Sequence, residues 1–151
     1  MEPIRVSRFV EAPPERVFAL ASDFPNAHEN VEAITKVEML TDGPVGVGTR
    51  FRETRVIFKK EASEEMEVVE WEPPTHYVVT ADSHGARYRT TFAFAPEGEG
   101  TRVTFEFHAE PYTMAAKIMA KTMGKLMMGT MVKCVEQDLD DIKAHAEGAE
   151  A

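Results

Sequence analysis

The order of its segments constrains this chain more than any single residue does. An opening strand and a Pro-Pro helix start come first, six further strand-like runs follow, and one long helix fills the last quarter. Six of the nine methionines (Met114, Met119, Met123, Met127, Met128 and Met131) fall within that helix. A sheet followed by a single apolar-faced helix buries both when the sheet curls around the helix. Methionine is unbranched and polarizable, so a methionine-lined gap adapts to irregular apolar shapes. The sequence therefore predicts a small-molecule pocket between sheet and helix, without naming the molecule.

Along the chain, Ile4, Val6 and Val10 read as the first strand. Pro13 and Pro14 then open a short helix with the apolar stripe Val17, Phe18, Leu20 and Ala21; proline is tolerated there because first-turn amides have no helical partner. Ser22 and Asp23 are expected to cap a second short helix ending near Asn30. Strands are expected over 34–40, 51–58, 59–71 and 77–80, and a hairpin pairs 86–95 with 101–109 through the loop 96–100. The stretch 59–71 has helix-forming composition, but Pro73-Pro74 ends it and strands flank it, so it reads as strand. The final helix, about residues 112–146, would be roughly 50 Å long. Residues 1–147 form one domain and 148–151 a fraying tail.

At 151 residues the chain can bury a core without metal or disulfide staples. Acidic residues outnumber basic ones 26 to 17, for a net charge of −9. Such a surface repels phosphate backbones and anionic headgroups unless a local basic patch intervenes, so nucleic acid is not an expected partner. The single cysteine, Cys134, excludes an intrachain disulfide and suits a reducing compartment. No basic and apolar leader is visible and no apolar run reaches a membrane-spanning length, so a cytoplasmic location without integral membrane association is expected.

The segment FVEAPPERVFALASDFPNAHENVEAI, the loop GPVGVGTRFRE, the turn WEPPTHY and the closing helix together resemble the START-like, or SRPBCC, superfamily of polyketide cyclase/dehydrase-like and lipid-transport-like proteins. The resemblance covers nearly the whole chain. It implies an α+β helix-grip fold: about seven antiparallel strands curved around the C-terminal helix, with two small helices closing one end. It also implies a deep apolar cavity. It implies no universal catalytic triad or metal site, so the catalytic residues are unknown and no cofactor is expected.

Several residues are candidates for that cavity. Met119, Met123 and Met127 recur at i+4 and share a helix face; the same stripe also serves as plain core contact. Gly124 and Gly129 interrupt the helix and are expected where something approaches closely. Glu53 and Arg55 share a strand face with Phe51, while the opposite phase (Arg50, Arg52, Thr54, Val56, Phe58) is hardly more apolar, so periodicity leaves the inward face undecided. Tyr88, on the Phe92 face, is expected either as a polar anchor inside the pocket or with its hydroxyl at the rim. Phe24 and His28 are expected at the entrance. The five histidines are scattered, which argues against a zinc site. Cys134 reads as a buried inert thiol, and the glutamates between 61 and 72 read as a solvated face that discourages edge pairing.

These features favour binding, transport or sequestration of a small hydrophobic molecule such as a lipid, polyketide or aromatic compound. An aromatase/cyclase- or dehydrase-like enzyme using the same cavity is the alternative, and a protein-interaction module of the chaperone-activator type is a third. A homodimer through the helix or a sheet edge is left open.

Overall fold

The computed structural model describes residues 3–57 and 59–148. The expectations for Phe58 and for a tail beyond Gly148 fall outside these residues. Seven strands form one curved antiparallel sheet: β1 (Ile4–Val10), β2 (Ile34–Met39), β3 (Arg50–Ile57), β4 (Lys60–Glu72), β5 (His76–Ser83), β6 (Ala86–Glu97) and β7 (Gly100–Pro111). Their order across the sheet is β1-β7-β6-β5-β4-β3-β2. Helices α1 (Pro14–Ala21) and α2 (Ala27–Asn30), separated by a 3-10 turn at Phe24–Asn26, close one end, and α3 (Met114–Gly148) lies along the concave side. This is the helix-grip architecture expected from the sequence.

Period-2 alternation sorts the side chains. The register places Val6, Phe105, Phe92, Tyr77, Trp71 and Phe51 on the concave face. A bulge between Val68 and Glu70 lets both Val68 and Trp71 face inward, and Glu70 is left outside. There Glu70 meets His76 and Arg89. Phe18 of α1 plugs the end of the curve, with ring centroids 5.1 Å from Trp71 and 5.2 Å from Phe94.

Only the C-terminal half of α3 is gripped. Val135, Leu139, Ile142 and Ala146 are buried at helical spacing against β1 and α1. Arg8 of β1 donates to Asp140 (2.9 Å) and Glu136 (3.3 Å) of the same half. The start of α3 is held differently. The β5–β6 turn has positive φ at both His84 (52°) and Gly85 (78°), as a two-residue hairpin favours. Gly85 O accepts from the backbone amides of Tyr112 (2.9 Å) and Thr113 (3.3 Å). Thr113 then caps the helix, its Oγ1 accepting from the Ala116 amide.

Four local expectations are corrected. The hairpin loop 96–100 shrinks to Gly98-Glu99, because the β6–β7 ladder continues to the Glu97–Gly100 pair. Ser22 does not cap the next turn; its hydroxyl donates to the Phe18 carbonyl (2.7 Å), and the Asp23 carboxylate accepts from the Asn26 side chain. β4 lies inside the sheet, so its glutamates protect no edge, and Glu64 faces inward opposite Glu53. Cys134 is half-buried rather than sealed in the core.

Candidate functional site

β3 settles the phase that periodicity left open. Phe51, Glu53 and Arg55 point to the concave side, and Phe51 is fully buried against Phe24 in a stacked pair at 4.4 Å. Arg55 Nε donates to Glu53 Oε1 (3.0 Å) and Arg55 Nη1 to Asp138 Oδ2 of α3 (3.0 Å). The side chains of Glu53, Arg55 and Asp138 are only 12, 21 and 18% exposed, so water compensates them poorly. One guanidinium thus serves two carboxylates. Burial pushes the Asp138 carboxyl up to about 6; Arg55 opposes that rise, and Glu53 and Asp141 add to it. Its second oxygen, Oδ1, is buried without a hydrogen-bond partner. An orphaned buried acceptor beside a shared cation can take a hydrogen bond from a guest molecule or, once protonated, give one.

Next to this triad stands an aromatic wall. Tyr77 stacks on Phe92 (5.1 Å), Phe92 meets Phe105 edge to face (5.2 Å), and Tyr88 stacks on Phe107 (5.5 Å). The Tyr77 hydroxyl is buried, donates to Ala21 O (3.1 Å), and is held far above its ordinary pKa by burial and then by the Glu53 charge. Phe92, Phe107 and Tyr88 are only half-buried, so part of the wall remains uncovered. Burial, with Glu64 and Asp82 nearby, raises the Tyr88 pKa.

Across from the wall, α3 departs from the methionine expectation. Met119, Met123 and Met127 are 53, 47 and 54% exposed and lie outside the core. The less exposed stripe is Ala116, Ala120, Gly124 and Met128, and only Met128, Met131 and Val132 pack against the core. A Cβ built on Gly124 or Gly129 would meet nothing within 4 Å, so neither glycine serves a close approach. The physical reason is rotation: the buried Val135–Leu139–Ile142 stripe, traced back from Val135 at 3.6 residues per turn, passes 131–132 and arrives at 128 and 124, not at 127 and 123.

Phe24 is a core ring and does not sit at an entrance; His28, on α2, is exposed. Two clefts open to solvent elsewhere. One, of about 500 Å³, lies between α1 and the β4–β5 turn, lined by residues that include Phe18, Asp23, Val45 and Trp71. The other, about 350 Å³, lies at the start of α3 between Pro111, Met114, Lys117, Ile118, Ala120 and Lys121. None of the residues expected from the sequence to bind ligand lines either cleft. Among the described residues no group of three or more His, Cys, Asp or Glu side chains could hold a metal ion.

Glu53, Arg55, Tyr88 and Phe92, all named from the sequence, lie on the concave face, but the sequence left the phase of Glu53 and Arg55 open and gave no notice of Asp138 or an inward Glu64. A signal for Asp138 exists: it is an acid three residues after Val135 and four before Ile142, on the buried stripe of α3.

The sheet order, the gripped helix and the whole-chain length agree with one family model, described as polyketide cyclase/dehydrase and lipid transport, which matches residues 1–147. The chain belongs to this family. No curated protein matches it. Among solved structures, a protein of Thermus thermophilus is 28% identical, covers 99% of this chain and 100% of its own, and superposes with a TM-score of 0.82. The di-domain ARO/CYC StfQ of the steffimycin biosynthetic pathway is 14% identical with a TM-score of 0.82, over 98% of this chain and 52% of StfQ. A START superfamily protein from Mycobacterium smegmatis is 13% identical with a TM-score of 0.80, over 97% of this chain and 98% of that one. The last two likenesses concern the fold alone. Among the described residues no helix of this family member is long and apolar enough to cross a membrane.

Proposed function

We propose that this protein binds a small hydrophobic molecule carrying at least one polar group, held between the concave face of the sheet and α3. The apolar body rests on Tyr88, Phe92, Phe107 and Met128, and the polar group meets Arg55 and Asp138. The observation that carries this reading is the unpartnered, buried Asp138 Oδ1 beside a guanidinium shared by two carboxylates. Native structures leave few buried polar atoms without a hydrogen bond. Burial of apolar ligand surface, at about 25 cal/mol per Å², supplies the affinity, and the polar pair supplies orientation.

Two measurements test it. Native mass spectrometry of freshly purified protein would reveal a retained ligand. Titration with the neutral aromatic probe N-phenyl-1-naphthylamine should give saturable one-to-one binding, weakened about tenfold by Phe92→Ala, or roughly 1.4 kcal/mol. No retained mass together with no saturable probe binding overturns the proposal.

A second reading rests on the Asp138 carboxyl, whose pKa near 6 suits a general acid or base at neutral pH. In a cyclase- or dehydrase-like reaction Asp138 would move the proton and Arg55 would steady the developing negative charge. Asp138→Asn would then abolish turnover of a poly-β-ketone substrate while leaving probe binding intact. Binding without turnover in the native protein leaves the first reading alone.

A further inference from the structure

The N-terminal half of α3 breaks the rule for a surface helix. A helix on a globular protein turns charged residues outward. Here the face turned away from the sheet carries Ile118, Met119 and Leu126, which are 55, 53 and 70% exposed. Of the ten exposed large apolar residues among those described, seven lie between Tyr112 and Met127. The same segment is the most basic part of an acidic protein. Between Pro111 and Val135 there is no Asp or Glu, but Lys117, Lys121, Lys125 and Lys133 are present. Three of these lysines recur at i+4 and form one stripe along the helix. At its start, Lys117 and Lys121 flank the groove floored by Pro111, Met114 and Ile118.

From this charge and apolar pattern we propose that the segment from Tyr112 to Lys133 docks on an anionic phospholipid bilayer. Ile118, Met119 and Leu126 enter the boundary between headgroups and acyl chains, and the lysines pair with lipid phosphates. An exposed apolar face bordered by lysines on a helix too polar to span is the pattern of an interfacial helix. The net charge of −9 keeps the rest of the molecule off such a surface, so this face alone can approach it. A second copy of the chain is a poorer occupant. Its own helix presents the same four lysines, and the net charge of −9 on each copy opposes their approach.

Co-sedimentation with large unilamellar vesicles tests the proposal. At 0.1 M salt, binding to 70:30 phosphatidylcholine:phosphatidylglycerol vesicles should exceed binding to pure phosphatidylcholine at least tenfold. It should fall steeply at 0.5 M salt. Lys121→Gln should weaken it about fivefold. Leu126→Glu should abolish it with the circular dichroism spectrum unchanged, since that side chain is exposed. Equal binding to both vesicle types, or no effect of Leu126→Glu, overturns the proposal. So does a dimer in sedimentation equilibrium that Leu126→Glu dissolves and vesicles do not. The surface lies outside the concave site, so Phe92→Ala should dock like the native protein; a native protein that docks but neither retains a ligand nor binds the probe saturably removes only the ligand reading.

Discussion

Asp138→Asn gives the sharpest test of the buried triad. The Asp138 carboxyl titrates near 6 in the folded protein against an ordinary 3.8, chiefly because burial disfavours its charge. A carboxyl raised in the folded state contributes stability that is fully present below the unfolded value and is lost as pH rises through the folded one. The window is therefore pH 3.8 to about 6. At 1.36 kcal/mol per unit, ionising Asp138 removes about 3 kcal/mol between those limits. The asparagine keeps the shape and the acceptor toward Arg55 but cannot ionise. Urea unfolding at half-unit steps from pH 4 to 7.5 should show the native protein losing about 2–3 kcal/mol relative to Asp138→Asn across this range. Titrating groups distant from Asp138 are common to both proteins and cancel in the difference, which leaves Asp138 and its charged neighbours Glu53 and Asp141 to set it. Parallel stability profiles would refute the reasoning, because they would mean that Asp138 is not desolvated and that Arg55 compensates both carboxylates fully.

Further substitutions separate structural from open positions. Gly85→Ala drives a Cβ into Thr113 Oγ1 at a φ of +78°, so chemical denaturation should show a loss well above the roughly 1 kcal/mol expected for Gly98→Ala, whose positive φ lies in open space. Leu139→Ala, at a fully buried site on α3, should cost about 2–5 kcal/mol. Met123→Ala, on the exposed flank of the same helix, should stay within about 0.5 kcal/mol by the same measurement. Tyr77→Phe removes the donor to Ala21 O and should lower stability by about 1–2 kcal/mol.

The fold was legible because each element carried its own local signal. Pro13-Pro14, the His84-Gly85 turn and the alternation in β6 and β7 mark boundaries and faces that tertiary contacts only reinforce. Even the helix-like composition of 60–72 yields to strand, because β3 and β5 pair with it on both sides. The site was legible only in part. The inward phase of Glu53 and Arg55 depends on a partner, Asp138, that lies more than eighty residues away; no local pattern carries that pairing. The methionine stripe misled for a geometric reason. Hydrophobic residues on α3 occupy nearly every direction around its N-terminal half, so periodicity does not choose a face there, whereas the buried C-terminal half chooses one.

The two halves of α3 also decide what a larger side chain at position 124 would do. The C-terminal half is fixed by four buried side chains and by Arg8 on Asp140 and Glu136. The N-terminal end is fixed by the Gly85 carbonyl, the Thr113 cap, and the Tyr112 hydroxyl on Asp82 (2.7 Å). Arg87 stacks over the Tyr112 ring at 4.9 Å. A helix held at both ends cannot act as a hinged lid without breaking one set of these contacts. The space next to Gly124 is therefore set by residue size along one stripe. Ala116, Ala120 and Gly124 keep the side chains on that half-buried stripe small. A bulky side chain at 124 should project into the proposed ligand space without disturbing either anchor, since its Cβ meets no atom. Gly124→Leu ought then to keep the native unfolding midpoint or raise it, glycine being the poorer helix former by about 1 kcal/mol, while excluding N-phenyl-1-naphthylamine. Unchanged probe affinity in that variant would place any ligand elsewhere on the protein.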